Sequence, residues 1–245
     1  MEHLEHFRER FGISGSTLKI LAIISMTIDH FAASVLYRGV MTLPSVSSNA
    51  ELMRSLRSIY SAMRAIGRPA FPIFCFLLVE GFSHTRSWTK YASRLFLFAL
   101  ISEIPFDYGL RGSFFVSQHQ NVFFTLFIGL MVMIFYTKFY DRPLLKYGVL
   151  ILGLLAGKYG YVDYGFKGVF LIEVLFLFRN ERLMQIIAGT FAISWEATAP
   201  IAFLPIWLYN GKRGIRLKYF FYAFYPAHLM IFGILTFVVI PFFAS

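Results

Sequence analysis

Nine apolar stretches follow one another along this chain, and most of the charge lies outside them. They cover residues 18–37, 66–83, 89–105, 121–139, 144–158, 165–178, 183–196, 199–210 and 219–242. A run of about 20 apolar residues is what one helix needs to cross the hydrocarbon layer of a bilayer. Inside lipid every backbone N–H and C=O must be satisfied within the protein, which favours helices. The chain is therefore expected to be all-α, a polytopic integral membrane protein of about nine transmembrane helices in a single domain, 1–245. Residues 1–17 read as an interfacial N-terminal segment and 38–60 as an outer loop with room for a surface helix. The composition agrees. Only 15% of residues are charged, against about 25% in soluble domains. Thirty Phe and 14 Tyr are more than a soluble core of 245 residues can hide. Several stretches are shorter than a full crossing, and 183–210 reads as two short spans or as one helix broken at Pro200 and Pro205.

Charge orients the stretches. Lys and Arg are enriched in cytoplasmic connections near helix ends. Here they occupy alternate connections: Arg8, Arg10 and Lys19, then Arg86, Lys90 and Arg94, then Lys138, Arg142 and Lys146. Arg179 and Arg182 follow, then Lys212, Arg213, Arg216 and Lys218. Nine spans with a cytoplasmic N-terminus fit that alternation, and the uncharged "PFFAS" end falls outside. Arg38, Arg54 and Arg57 break the pattern, because they fall in the expected outer loop. The net charge of +10 does not point to nucleic acid, since the cations lie between apolar runs rather than in one stripe. The bilayer is the partner they imply. Cys75 is the single cysteine, so no intramolecular disulfide forms, and it reads as a small packing residue.

Within the apolar stretches a few polar residues stand out, and ionisable groups there are expensive. "SMTIDHF" places Asp29 and His30 in the first span. Lys19 and His30 are eleven positions apart, three turns plus about 20°, so they share one helix face, about 16 Å apart along the axis. Asp29 points about 100° away from His30, so it either reaches another helix or shares a water with the imidazole. The pair either locks helices together or does chemistry; imidazole titrates near neutral pH and can move protons. In the second span Arg68 precedes Pro69 and Pro72, which kink the helix and free carbonyls. Arg68 either satisfies them or binds a negative group on a substrate. Glu80 fits an interfacial pairing with Arg86 or Lys90 as well as a catalytic role. Arg86, Lys90 and Arg94 recur every four residues, a stripe suited to anionic headgroups or to the phosphates of coenzyme A. Glu103 and Asp107 lie near the outer boundary, where Pro105 is expected to end the third span. Gln118, His119, Gln120 and Asn121 precede the fourth span. Asn121 suits a helix cap and equally an oxyanion donor. Asp163 and Lys167 suit a salt bridge. His228 lies ten residues beyond Lys218, at a depth like that of His30, so the two rings can meet in one cavity. No phosphate loop, zinc spacing or serine elbow is present, and no metal is expected.

Together "LKILAIISMTIDH", "IGRPAFPIFCFLLVEGFSHTR", "RLFLFALISEIPFDYGL", "NVFFTLFIGL", "YGFKGV", "YNGKRG" and "FYPAHLMI" resemble the TraX family over nearly the whole chain. The founding member of that family is required for N-terminal acetylation of a conjugative pilin. The family is similar in turn to a broader group of transmembrane acyltransferases with a basic residue, ten intervening residues and a histidine in their first helix. Lys19 and His30 match that spacing, with Lys for the more usual Arg. "FCFLLVEGF" looks comparable to a second motif of that group, with Glu80 in place of Ser. The resemblance implies a multi-pass protein of the inner membrane that takes acetyl-CoA from the cytoplasm as co-substrate. Arg86, Lys90 and Arg94 would hold its phosphates, with Lys19 either a second phosphate contact or a headgroup anchor. His30 would act as general base or acetyl carrier with Asp29 orienting it, Asn121 and His228 would polarise the thioester, and a water-accessible passage would reach the imidazole from both faces. Arg68, Glu103 and His119 are the residues expected to meet the acceptor, which is a pilin, another peptide, a glycan or a small amine. Two other readings use the same buried charges: a small-solute transporter or channel, and a non-catalytic pilus or envelope assembly factor.

Overall fold

The structure, a computed structural model, describes residues 8, 10–215 and 218–244; Arg216, the side chain of Lys218 and part of the expected interfacial segment lie outside them. Every regular element among the described residues is helical, and the pairing between extended segments is limited to two isolated bridges, Ile13 to Tyr209 and Gln120 to Val162. Helix α1 runs Gly15–Thr42, with Ser14 as its N-cap and a π-helical stretch at Ala32–Gly39. It is followed by α2 (Ala50–Gly67), α3 (Ala70–His84), α4 (Trp88–Arg111), α5 (Val122–Lys138), α6 (Pro143–Tyr159), α7 (Gly165–Leu177), α8 (Arg182–Ala192) and α9 (Phe203–Trp207). The last, α10, is Lys218–Ile234, continued through a second π-helical stretch at Leu235–Val239.

Three of these segments are long and apolar enough to cross a membrane: Gly15–Thr42, Ala50–His84 and Tyr219–Ala244. The other apolar stretches form shorter or more highly charged helices. The 183–210 region is a hairpin of two short helices, with a 3-10 turn at Ala199–Ala202 before α9. At 1.5 Å per residue α8 is about 16 Å long, roughly half the hydrocarbon layer.

Side-chain contacts fix the direction of each helix. Lys19 lies over Phe221, His30 against His228 and Phe31 against Phe232, so α1 and α10 run parallel. Phe98 meets Tyr222 and Tyr108 meets Phe237, so α4 runs the same way. The α2–α3 pair returns antiparallel to α1. The centre of the bundle is apolar, built on Leu18 and Ala22 of α1, Phe71 and Phe76 of α3, Leu130 of α5, and Leu171 and Phe176 of α7. Gly109 lets α4 approach α10, where a Cβ would press on the carbonyl of Leu229. Cys75 is fully buried in the core.

Two boundaries differ from the sequence reading. The expected outer loop 38–60 is largely helix. α1 continues to Thr42 and α2 begins at Ala50, with Tyr37 packed on Tyr60 to close a helical hairpin. Pro105 does not end the third helix, which continues to Arg111 and stops at Gly112 in the left-handed region, φ 73°. A proline removes only one donor, and packed neighbours in a bundle re-satisfy the freed group.

The break between α2 and α3 obeys the proline rule. Pro69 cannot donate to the carbonyl of Ala65, and Thr198 Oγ1 donates there instead at 2.7 Å. Ser25 Oγ donates to the carbonyls of Ile66 and Gly67 at 2.7 and 2.9 Å. Arg68 is therefore released from the role of satisfying its own helix.

Candidate functional site

A cavity of about 430 Å³ opens between α1, α2, α4 and the loops before α5 and α7. Asp29 and His30 form its floor. Arg38, Arg64, Arg68 and Arg111 supply cations, Asp163 and Glu196 anions, and Tyr37, Tyr60, Phe106, Tyr164 and Trp195 ring surface.

His30 is the cavity residue tied to a second histidine. Its Nδ1 lies 2.7 Å from Nε2 of His228, and Nδ1 of His228 lies 2.8 Å from the carbonyl of Phe224. A carbonyl can only accept, so His228 carries its proton on Nδ1. With both rings neutral, Nε2 of His228 is then an acceptor and Nδ1–H of His30 is the donor. That leaves the lone pair of His30 on Nε2, and among the described residues no hydrogen bond reaches that atom. Tyr225 meets both rings edge-on and Phe232 closes on His228. His228 itself is buried, 5% exposed, and is not among the residues lining the cavity.

Asp29 does not face the imidazole. Its Oδ2 pairs with Nη1 of Arg64 at 2.5 Å, because adjacent residues on a helix point about 100° apart. Gly67 makes room for that carboxylate; a Cβ there would overlap the Asp29 side chain. Arg64 was not a sequence candidate, since it sits just before the second apolar stretch. The spacing Arg57, Tyr60, Arg64, Arg68 would have placed it on one helix face. Arg68 Nε pairs with Glu196 at 3.2 Å, and both residues line the cavity. Arg111 pairs with buried Asp107 at 2.8 Å and covers Phe106.

His119 also lines the cavity, stacked on Phe106, with Nε2 3.6 Å from Oδ1 of Asp163. Backbone bonds Gln120 N to Tyr161 O and Asp163 N to Gln120 O hold the two loops together. The cost is visible in the backbone: Tyr161 and Tyr164 have φ of 51° and 63°, which side chains other than glycine adopt rarely. Asp163 keeps 29% of its side chain exposed, yet its enclosure still pushes the carboxyl up to about 6 against the pull of the Tyr164 N–H. Burial lowers His119 below its ordinary value and the Arg111 cation lowers it further. The expected Asp163–Lys167 bridge does not form, and Lys167 lies over Trp195 instead.

Other expected site residues lie elsewhere. Asn121 is fully buried and fully used. It caps α5 by accepting from Phe123 N at 3.0 Å, and its Nδ2 donates to the carbonyl of Ala99 and to Glu103 at 2.8 and 2.5 Å. It has no donor left for an oxyanion, and Glu103 faces Asn121 rather than the cavity. Arg86 precedes the N-cap Ser87, so the four-residue stripe holds only for Lys90 and Arg94. Arg86 and Lys90 are exposed. Arg94 turns inward to hydrogen-bond Tyr222, and its Nε is buried without a partner. Lys19 lies 5.3 Å over Phe221, close enough to Arg213 for the two cations to repel. Glu80 lies 3.9 Å from Arg182, not against Arg86 or Lys90. The passage expected from both faces is open on one. The cavity lining reaches inward only to Asp29 and His30, and beyond them Phe98 packs on Tyr222 and Phe123 on Tyr225.

Comparison with known proteins adds an independent line. The family model described as "TraX protein" matches residues 14–236. The chain is also similar to a Dichelobacter nodosus protein described as "Probable fimbrial assembly protein FimC, serogroup H1", 31% identical over 249 residues, covering 88% of this chain and 93% of that one. No solved structure matches.

Proposed function

This chain belongs to the TraX family, and from that premise we propose that it is a membrane-embedded acetyltransferase of the inner membrane, with its N-terminus in the cytoplasm and His30 as its general base. One observation carries the reading: His30 lines a polar cavity and its Nε2 has no hydrogen-bond partner among the described residues, while a second histidine fixes its tautomer. A histidine that only locked helices together would spend both nitrogens on protein partners.

The reaction follows from that lone pair. An acceptor amine or hydroxyl enters the cavity from the outer face and gives its proton to Nε2 of His30 as its heteroatom attacks the thioester carbonyl. The new C–N or C–O bond forms, the C–S bond breaks, and the leaving thiolate takes the proton back from His30. His228 accepts from Nδ1–H and stabilises the transient imidazolium, a positioning role rather than the carbonyl polarisation expected from sequence. Lys19, Arg94 and Tyr222 at the inner end are the groups suited to coenzyme A phosphate and pantetheine, since Arg94 has an unspent buried N–H. The Phe98–Tyr222 contact must part for the arm to reach His30.

The relative's description as a fimbrial assembly protein favours a pilus-related acceptor or, as a second reading, an assembly role without catalysis. The two separate cleanly. The purified chain in lipid nanodiscs is given labelled acetyl-CoA and an amine acceptor. Catalysis predicts transfer that His30→Ala abolishes and His228→Ala reduces, with both variants folded. Equal transfer by His30→Ala would remove the base, and assembly restored in cells by that variant would favour the scaffold.

A further inference from the structure

Arg38, Arg54 and Arg57 break the charge asymmetry of the chain, and topology gives them no purpose. The fold gives Arg38 one. Arg38 lines the cavity mouth from α1, level with the Tyr37–Tyr60 contact. The remaining cavity arginines each have an acid: Arg64 has Asp29, Arg68 has Glu196 and Arg111 has Asp107. Among the described residues Arg38 has no acidic partner within 4.0 Å, and it is exposed. It lies eight residues beyond His30 on the same helix, at most about 12 Å outward by helical rise.

We propose that the acceptor is anionic, carrying a carboxylate or phosphate up to about 12 Å from the atom that is acetylated, and that Arg38 binds that group while His30 meets the reacting end. This rests on the reading of His30 as the base. The three paired arginines are offset by their own acids and Asp163 lies beside His119, so Arg38, the lining cation without an acid, sets both the sign and the position of the recognised group. The aromatic surface of Tyr37, Tyr60 and Trp195 takes the uncharged part between them. An extended chain advances about 3.3–3.6 Å per residue, so a peptide of four residues spans the distance from its N-terminal amine to its last side chain.

The test is binding and needs no turnover, so it succeeds or fails independently of the transferase reading. The full chain is placed in nanodiscs of phosphatidylcholine alone. Two probes are compared: Ala-Ala-Ala-Glu-amide and Ala-Ala-Ala-Gln-amide. The glutamate probe should bind roughly tenfold more tightly, the scale of one charge-assisted contact. Arg38→Gln should abolish that preference at unchanged melting temperature, and Arg38→Lys should keep part of it. Equal binding, or binding of neither probe, overturns the proposal. So does a preference that survives Arg38→Gln. If Arg38→Gln instead alters only the chain's selection of phosphatidylglycerol in mixed nanodiscs, the arginine is a headgroup anchor and the proposal is wrong.

Discussion

Replacing Arg64 by Ala isolates the Asp29 carboxylate in the middle of the bundle. The side chains are 24% and 13% exposed, so the pair is mostly but not wholly out of water. Removing one partner of a fully buried ion pair costs about 3–5 kcal/mol, and partial hydration from the cavity brings this to about 2–3 kcal/mol. For a chain of this length each kcal/mol moves the melting temperature by roughly 2–4 °C, so Arg64→Ala should melt about 5–10 °C below the parent. Removing both charges leaves no stranded ion. The Arg64→Ala/Asp29→Ala double variant should therefore recover most of the loss, with a coupling of about 1–2 kcal/mol in the cycle. Melting is read by tryptophan fluorescence in nanodiscs at low and high salt. A double variant as unstable as the sum of the singles would show that Asp29 has another essential partner and would revive the idea that it orients His30.

Further outcomes follow from the same geometry. Gly67→Ala drives a Cβ into Asp29 and should destabilise by about 1–3 kcal/mol, most of it relieved in an Asp29→Ala background, as thermal melting would record. Asn121→Ala removes a cap and two further hydrogen bonds in a buried site and should cost about 2–4 kcal/mol while acetyl transfer per folded molecule stays near normal; a selective loss of kcat would restore it as an oxyanion donor. Asp163, raised from 3.8 to about 6, contributes stability that is fully present below about pH 4 and is lost as pH rises through about 6. Asp163→Asn should flatten that fall in a stability–pH profile. His119, lowered from 6.5, acts in the opposite sense, its contribution being lost as pH falls below its ordinary value.

The apolar rhythm of the chain was enough to see helices, and the depth of His30 and His228 was enough to see that they meet, because helical rise is nearly constant. Asp29 illustrates what a single stretch conceals. Its direction was legible at 100° from His30, but its partner lay in a segment whose mixed polarity read as loop. α2 carries charge along much of its length, and only its packing on α1 makes it part of the bundle. Asn121 was seen as a cap or an oxyanion donor, and the choice needed Glu103 and the carbonyl of Ala99, both remote in sequence. The basic stripe failed for a local reason, since Ser87 caps α4 after Arg86 rather than before it. Pro105 misled because the rule that proline ends a helix assumes water, not neighbouring helices, around the freed carbonyl.

For His30 to act as proposed it must stand at the floor of a wet cavity that opens on the outer face. The one native cysteine, Cys75, is fully buried and gives a silent background. His30→Cys and Tyr60→Cys variants, in sealed inner-membrane vesicles of known orientation, are treated with a membrane-impermeant maleimide from each side. Both positions should label from the outer face, Tyr60→Cys faster. No labelling of His30→Cys, or labelling from the cytoplasmic face alone, would contradict that placement.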